Sequence, residues 1–324
     1  MSQITGPDLN NVRESLVAVR DQICQVVLGQ EQMLEQMMIA LLCGGHALVE
    51  GVPGTAKTLA VRALARVLSS KWKRIQFTPD LMPSDIVGTN VFDMSNNSFS
   101  LRRGPIFTDL LLADEINRAP AKTQSALLEA MSERHSTIDG TRHELSKVFT
   151  VFATQNPIEF EGTYPLPEAQ QDRFLLKIKV GYPDEQAELR ILEAYDAGQP
   201  LDHPESGQLQ PIINVQQLLA ARNALSDVKV EPGVLRYVLS IVRGTRNHDS
   251  VLVGASPRGS ISLLLASKGR TLLHGRDFVT PDDVVAMTEP VLGHRITLAA
   301  DAEISGATTA EVIQSILDKI EVPR

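Results

Sequence analysis

Three short runs in this chain bring together residue types that handle phosphate, a hard metal ion and water. The first is Gly51-Val52-Pro53-Gly54-Thr55-Ala56-Lys57-Thr58. Its glycines let backbone N–H groups curl around phosphate oxygens, and a helix starting there adds partial positive charge. The run follows an apolar strand-like stretch and precedes a helical one, the context a P-loop requires. Lys57 would then reach the β- and γ-phosphates, and Thr58 would offer its hydroxyl to Mg²⁺. One position departs from the usual pattern, because Ala56 stands where Gly usually precedes the lysine. Alanine accepts a helical backbone but resists positive φ, so a helical residue is expected at 56. By itself the run could also be a Gly-rich turn that holds no ligand.

The second run is Leu110-Leu-Leu-Ala113-Asp114-Glu115, an apolar strand ending in two carboxylates. Alone, such an ending usually marks a solvated loop start. Following a P-loop, it is the Walker B position: Asp114 would hold Mg²⁺ through water, and Glu115 would orient and polarise the attacking water. The third run, Val151-Phe-Ala-Thr154-Gln155-Asn156-Pro157, delivers an amide to the C-terminal end of another apolar strand. That edge of a parallel sheet is where ligands bind, so Asn156 could bond the γ-phosphate or the lytic water. An ordinary strand-to-turn Asn-Pro is the plain alternative.

Elements of alternating type must position these runs. Asp8 can cap a first helix to about Val27, and a second is expected over Glu31–Cys43. Buried strands are expected at His46–Glu50, Lys73–Phe77, Leu110–Asp114, Val148–Thr154 and Phe174–Val180, with helices at Leu59–Leu68 and Thr123–Arg134 between them. This alternation predicts an α/β fold, a mostly parallel sheet with helices on both faces. After Tyr182-Pro183 amphipathic helices take over: Asp184–Ala197, Val215–Leu225, Pro232–Thr245, Pro257–Leu273, Pro281–Val291 and Ala310–Ile320. The stretch Gly198–Pro211 reads as a loop. A boundary near Tyr182 divides residues 1–182, a nucleotide-binding core, from residues 183–324, an α-helical lid.

Composition bounds the rest. The 324 residues are 43% hydrophobic and 22% charged, ordinary for a globular chain of about two domains. A net charge of −8 weighs against a dedicated nucleic-acid or anionic-membrane binder. Cys24 and Cys43 are too few for a disulfide framework and fit reduced thiols in a cytosol. No His or Cys cluster has metal-ligand spacing. The start of the chain lacks the pattern of a signal peptide, and Met37–Val49 is too short and interrupted to span a bilayer. A cytoplasmic protein is expected.

Taken in order, the runs resemble the MoxR family of AAA+ ATPases, within the helix-2-insert branch. The resemblance rests on Glu50 through Thr58, Gly104-Pro-Ile-Phe107, Ala113-Asp-Glu-Ile-Asn-Arg-Ala-Pro120, Gln124-Ser-Ala-Leu-Leu-Glu-Ala-Met131, Ala153-Thr-Gln-Asn-Pro157 and Leu166-Pro-Glu-Ala-Gln-Gln-Asp-Arg-Phe174. It covers nearly the whole chain. It makes Ala56 a family trait, since MoxR proteins typically carry Ala there.

The resemblance implies further roles. Asn156 matches sensor 1, Arg173 the arginine finger that reaches a neighbour's γ-phosphate, and Arg258 in Gly254-Ala-Ser-Pro-Arg258-Gly sensor 2 on the lid. Guanidinium groups suit such duties, being always charged and bidentate toward phosphate. Val27-Leu28-Gly29 matches the segment that packs on adenine, though Gly29 could simply end a helix. Met82 through Arg103 resembles the helix-2 insert. Thr137–Leu145, with Asp139-Gly140 as a two-residue turn, resembles the hairpin before sensor 1. Arg118 could contact an adjacent subunit.

What the resemblance implies as a whole is Mg²⁺-dependent ATP hydrolysis in a homo-oligomeric ring, a hexamer. The ring would drive chaperone-like remodelling of protein clients, metal-cofactor insertion among them, beside a partner with a von Willebrand factor A domain. Two alternatives stand beside it. The same motor could act on DNA or as a chelatase-like subunit. The chain could also be a nucleotide-gated scaffold with little turnover, against which Glu115, Asn156 and Arg173 argue.

Overall fold

The structure, a computed structural model, describes residues 9–156, 163–198 and 209–323. The expected cap Asp8, Pro157 and most of the 198–211 loop fall outside the described residues.

The chain begins with α1 (Leu9–Cys24), α2 (Glu31–Leu42), β1 (Ala47–Gly51), α3 (Lys57–Val67) and β2 (Trp72–Gln76). Then come α4 (Pro83–Val87), β3 (Gly88–Asp93), β4 (Ser98–Arg103), β5 (Leu110–Asp114), α5 (Ala121–Glu133), β6 (His135–Ile138) and β7 (Thr141–Glu144). β8 (Thr150–Gln155), α6 (Glu168–Gln171) and β9 (Leu176–Val180) complete the α/β part. Helices follow: α7 (Glu185–Asp196), α8 (Val215–Ala224), α9 (Pro232–Arg246), α10 (Pro257–Leu273), α11 (Pro281–Leu292), α12 (Ala300–Ile304) and α13 (Thr309–Lys319). Among these last helices lies one short antiparallel pair, β10 (Val251–Val253) with β11 (Thr297–Leu298).

Five parallel strands form the sheet in the order β2-β5-β8-β1-β9. The inner strands are continuously apolar because both faces are covered, as a parallel sheet demands. Alternate side chains feed two cores. Ala47, Val49, Leu110, Leu112, Phe152, Leu176 and Ile178 join the cluster shared with α1–α3 and the later helices. Leu48, Leu111, Ala113, Val151 and Ala153 join Phe77, Phe149, Phe174 and α5 on the other face. Edge strand β2 carries its polar residues Lys73, Arg74 and Gln76 exposed, which discourages further strand pairing.

His46, expected to open the first strand, instead precedes it and ties the sheet to α5. Its Nδ1 accepts from the Val151 N–H at 2.9 Å and its Nε2 lies 3.2 Å from the Met131 carbonyl. That pairing needs the neutral ring with the proton on Nε2. Burial, helped by the nearby Arg134 charge, pushes the ring down to about 3.

Both expected insertions are hairpins. β3 pairs with β4 after the short α4, and β6 pairs with β7 across Asp139 (φ 47°) and Gly140 (φ 80°). Two left-handed residues define a type I′ turn. The two cysteines are free, and burial pushes the Cys43 thiol up to about 12. In the later helices Asp283 is wholly buried between α10 and α11, bonded by Arg270 at 2.7 Å and Arg276 at 2.5 Å. α7 forms where an amphipathic helix is expected, with its apolar residues left largely uncovered. Only Ala187 is buried, and Leu189, Leu192 and Tyr195 stay exposed.

Candidate nucleotide site

β1 delivers the chain to Gly51 and α3 takes it up at Lys57, so the loop between them is a strand-to-helix connection at the C-terminal edge of the sheet. The Thr55 hydroxyl closes the loop by donating to the Val52 carbonyl at 2.9 Å. Lys57 Nζ folds back onto the carbonyls of Gly51 (2.5 Å) and Val52 (2.8 Å). Burial lowers its pKa, opposed by the charges of Asp114 and Glu115.

Ala56 corrects the expectation of a helical backbone: it sits at φ 59°, ψ 16°, in the left-handed region. Gly54 is also left-handed, at φ 84°. Left-handed residues of this kind belong to the nest conformations that turn backbone N–H groups toward an anion. The loop therefore imposes a geometry that alanine's own preference resists, at a cost of about 1–2 kcal/mol. Strain held by surrounding structure is a feature of functional loops.

Asp114 and Glu115 leave the end of β5 beside this loop. Thr154, on neighbouring β8, orders both. Its hydroxyl donates to Asp114 Oδ1 at 2.5 Å and accepts the Glu115 backbone N–H at 2.9 Å. Glu115 is itself left-handed, at φ 55°. Its Oε2 accepts from Gln76 Nε2 at 2.5 Å and lies 3.4 Å from Arg118 Nε. Arg74 donates twice to Asp114 Oδ2, at 2.6 and 3.0 Å, and once to Gln76 Oε1 at 2.8 Å.

Thr154, Arg74 and Gln76 were not singled out from the sequence. For Arg74 and Gln76 the one signal is polar residues at alternate positions of β2, the strand beside the Asp-Glu strand, and Thr154 lies within the third run itself.

A cavity of about 450 Å³ unites most of the expected residues: Gly51, Pro53, Gly54, Thr55, Ala56, Lys57, Thr58, Asp114, Glu115 and Asn156 line it. Val52 contributes its carbonyl to Lys57. Arg62 and Arg74 add positive charge to the wall. Thr58 and Asp114 put a hydroxyl and a carboxylate on one hollow that also holds a lysine and the nest-shaped loop. That oxygen donor set fits a hard cation such as Mg²⁺, held by one or two protein groups together with phosphate oxygens.

Other expected residues lie elsewhere. Val27 is buried, Leu28 is half-buried, and Gly29 is left-handed at φ 71°. A Cβ on Gly29 would meet the Cβ atoms of Ala187 and Pro183 at 2.6 and 2.7 Å, so this segment packs on the entry to α7. Neither Arg173 nor Arg258 lines the cavity. Arg173 Nη1 donates to the Leu128 carbonyl of α5 at 2.7 Å. Arg258 Nη1 lies 3.5 Å from Asp172 Oδ2.

Residues 46–176 match the ATPase family associated with various cellular activities (AAA), and residues 243–316 match the AAA lid domain. The uncharacterized protein YeaC of Bacillus subtilis is 43% identical over 303 residues, which span 94% of this chain and 93% of that one. The chaperone MoxR1 of Mycobacterium tuberculosis is 42% identical across 94% of this chain and 81% of its own. A Cytophaga hutchinsonii protein, whose crystal structure carries an ATPase assignment, superposes with a TM-score of 0.88. It shares 39% identity over 97% of this chain and 96% of that one.

Proposed function

The chain belongs to the MoxR family of AAA+ ATPases, and on that premise we propose that it hydrolyses Mg²⁺-ATP as a ring, a hexamer, to remodel protein clients. Residues 1–182 act as the core and 183–324 as the lid. Bound Mg²⁺ supplies positive charge to the phosphates, held by Thr58 and Asp114.

The chain's own groups do the remainder. The loop 51–56 cradles the phosphates, and Lys57 leaves its two loop carbonyls for the β- and γ-oxygens. Glu115 orients the attacking water and draws its proton, while Asn156 fixes the γ-phosphoryl from the end of β8. Val27, Leu28 and Gly29 take the adenine side, and Arg258 reaches the phosphates from the lid.

The observation that carries the ring reading is the placement of Arg173. It lies outside the cavity that collects Lys57, Asp114, Glu115 and Asn156, bonded to α5 instead. A guanidinium there serves a neighbour's phosphate more readily than its own.

A protein client follows from the M. tuberculosis relative's name, chaperone, carried over to this chain. The β3–β4 hairpin supports it. Phe92 and Phe99 form an edge-to-face pair at 5.1 Å, and Phe99 and Met94 are 73% and 89% exposed. An exposed apolar tip suits an apolar stretch of polypeptide. A von Willebrand factor A domain partner, metal-cofactor insertion in the client and a cytoplasmic setting complete the reading. No helix among the described residues is long and apolar enough to cross a membrane.

The test is phosphate release from Mg²⁺-ATP together with assembly size by light scattering. ATP-dependent assembly and turnover that Glu115→Gln abolishes are expected. Turnover by a species that stays monomeric at all concentrations would contradict the proposal.

A further inference from the structure

Asp172, the residue before Arg173, has two partners of very different kinds. Arg295, in the turn after α11, is 3% exposed and donates from Nε to Asp172 Oδ1 at 2.7 Å. Its other nitrogens take the carbonyls of Asp172 (3.3 Å), Phe174 (2.6 Å) and Leu175 (3.2 Å), and that of Val291. His294 Nε2 adds a contact of 3.1 Å to the Phe174 carbonyl. The helical part of the chain thus grips the backbone on both sides of Arg173. The second partner, Arg258 at the start of α10, is 58% exposed and 3.5 Å from Asp172 Oδ2.

The first pair, whose guanidinium is buried and shared with several backbone carbonyls, is costly to break, whereas an exposed pair at 3.5 Å is weak and easily exchanged. A triphosphate carries far more charge than one carboxylate and binds guanidinium bidentately. Arg258 is therefore free to trade Asp172 for phosphate, and Arg295 is not. Arg173 meanwhile leans the other way, onto the Leu128 carbonyl of α5. Residues 172–175 form a joint, with the lid on one side and the core on the other.

We propose that Asp172 is a positioning residue that links a subunit's own ATP site to the posture of its Arg173. Without nucleotide it holds Arg258; when ATP takes Arg258, the lid shifts on the Arg295 anchor and Arg173 is presented to the neighbouring site. This rests on the roles proposed above for Arg173 and Arg258.

Two measurements test it. The first is a double-mutant cycle on the affinity for a fluorescent ATP analogue, with Glu115→Gln in every protein to prevent turnover. Asp172→Asn keeps an oxygen for Arg295 but gives up the charge that holds Arg258. It should tighten binding at least threefold when Arg258 is present and change it less than twofold with Arg258→Gln. A purely structural role for Asp172 would give equal effects in both backgrounds, and that result, or weaker binding, overturns the proposal.

The second compares two donors of Arg173 in mixtures with Arg173→Ala subunits. At ATP concentrations too low to saturate the donors, Glu115→Gln subunits should restore some turnover, and Glu115→Gln subunits that also carry Asp172→Asn should restore at least threefold more, because Arg258 is already released while the Arg295 anchor is kept. Equal rescue by both donors overturns the inference alone. Failure of rescue by both overturns the ring reading, and the inference falls with it.

Discussion

The guanidinium of Arg74 lies on the carboxylate of Asp114, with Nη2 and Nε 2.6 and 3.0 Å from Oδ2. The other oxygen, Oδ1, accepts from Thr154. Arg74 thus places a positive charge on the group proposed to help hold Mg²⁺, and the two cations compete for one carboxylate. Arg74→Gln is expected to lower the Mg²⁺ concentration that half-saturates nucleotide binding, by at least threefold. A Mg²⁺ titration followed with a fluorescent nucleotide checks this. A higher Mg²⁺ requirement would mean that Arg74 supports the metal site instead.

Lys57 and Glu115 line one cavity but should fail differently. Lys57→Ala removes the cation aimed at the phosphates and is expected to weaken ATP binding by about a hundredfold or more, roughly 2.8 kcal/mol. Glu115→Gln keeps the shape and removes the base, so binding should be spared while turnover is lost. Equilibrium binding and single-turnover hydrolysis separate the two. Equal loss of affinity in both variants would refute the assigned roles.

Ala56 at φ 59° gives a signed stability prediction. Glycine adopts that conformation without the Cβ clash, although it adds freedom to the unfolded chain. Ala56→Gly should therefore stabilise the protein by about 0.5–1 kcal/mol in chemical denaturation. ATP affinity should change less than about tenfold, roughly 1.4 kcal/mol. Ala56→Val should destabilise, since a β-branched residue there is a severe outlier.

His46 and His294 make stability depend on acidity. Burial is the main cause in both, pushing His46 down to about 3 and His294 well below its ordinary value. The unfolded chain takes up protons on these rings near pH 6.5 and the folded chain does not. Their contribution is therefore complete above that pH and is lost as pH falls toward the folded values. His46 adds a slope of about 1.4 kcal/mol per pH unit between roughly pH 6 and 4, and His294 adds to it in the same direction. Denaturation midpoints across that range should show it, and His46→Gln should make the slope shallower. An unchanged slope would show that His46 is not held neutral.

The P-loop, Asp114, Glu115 and Asn156 were legible because each is encoded in a contiguous run whose strand setting is also contiguous. The sheet was legible for the same reason, from apolar runs of the right length. What stayed hidden depends on meetings between distant residues. Arg74 and Asp114 are 40 positions apart, and Arg295 and Asp172 are 123 apart. No local pattern announces either pair. Ala56 departs from the expected helical backbone because the loop enforces a conformation that alanine's intrinsic preference opposes.

In the proposed ring, Arg173 of one subunit completes the site of another. Arg173→Ala should bind ATP nearly as tightly as the wild type yet hydrolyse it about a thousandfold more slowly, the scale of a lost arginine finger. Mixed with Glu115→Gln, itself inactive, it should regain part of the turnover, because some interfaces then pair an intact Glu115 with an intact Arg173. Steady-state phosphate release is measured across mixing ratios in preparations shown to exchange subunits. Activity is expected to peak at an intermediate ratio and to rise with protein concentration. No activity at any ratio, with wild-type specific turnover independent of concentration, would contradict it.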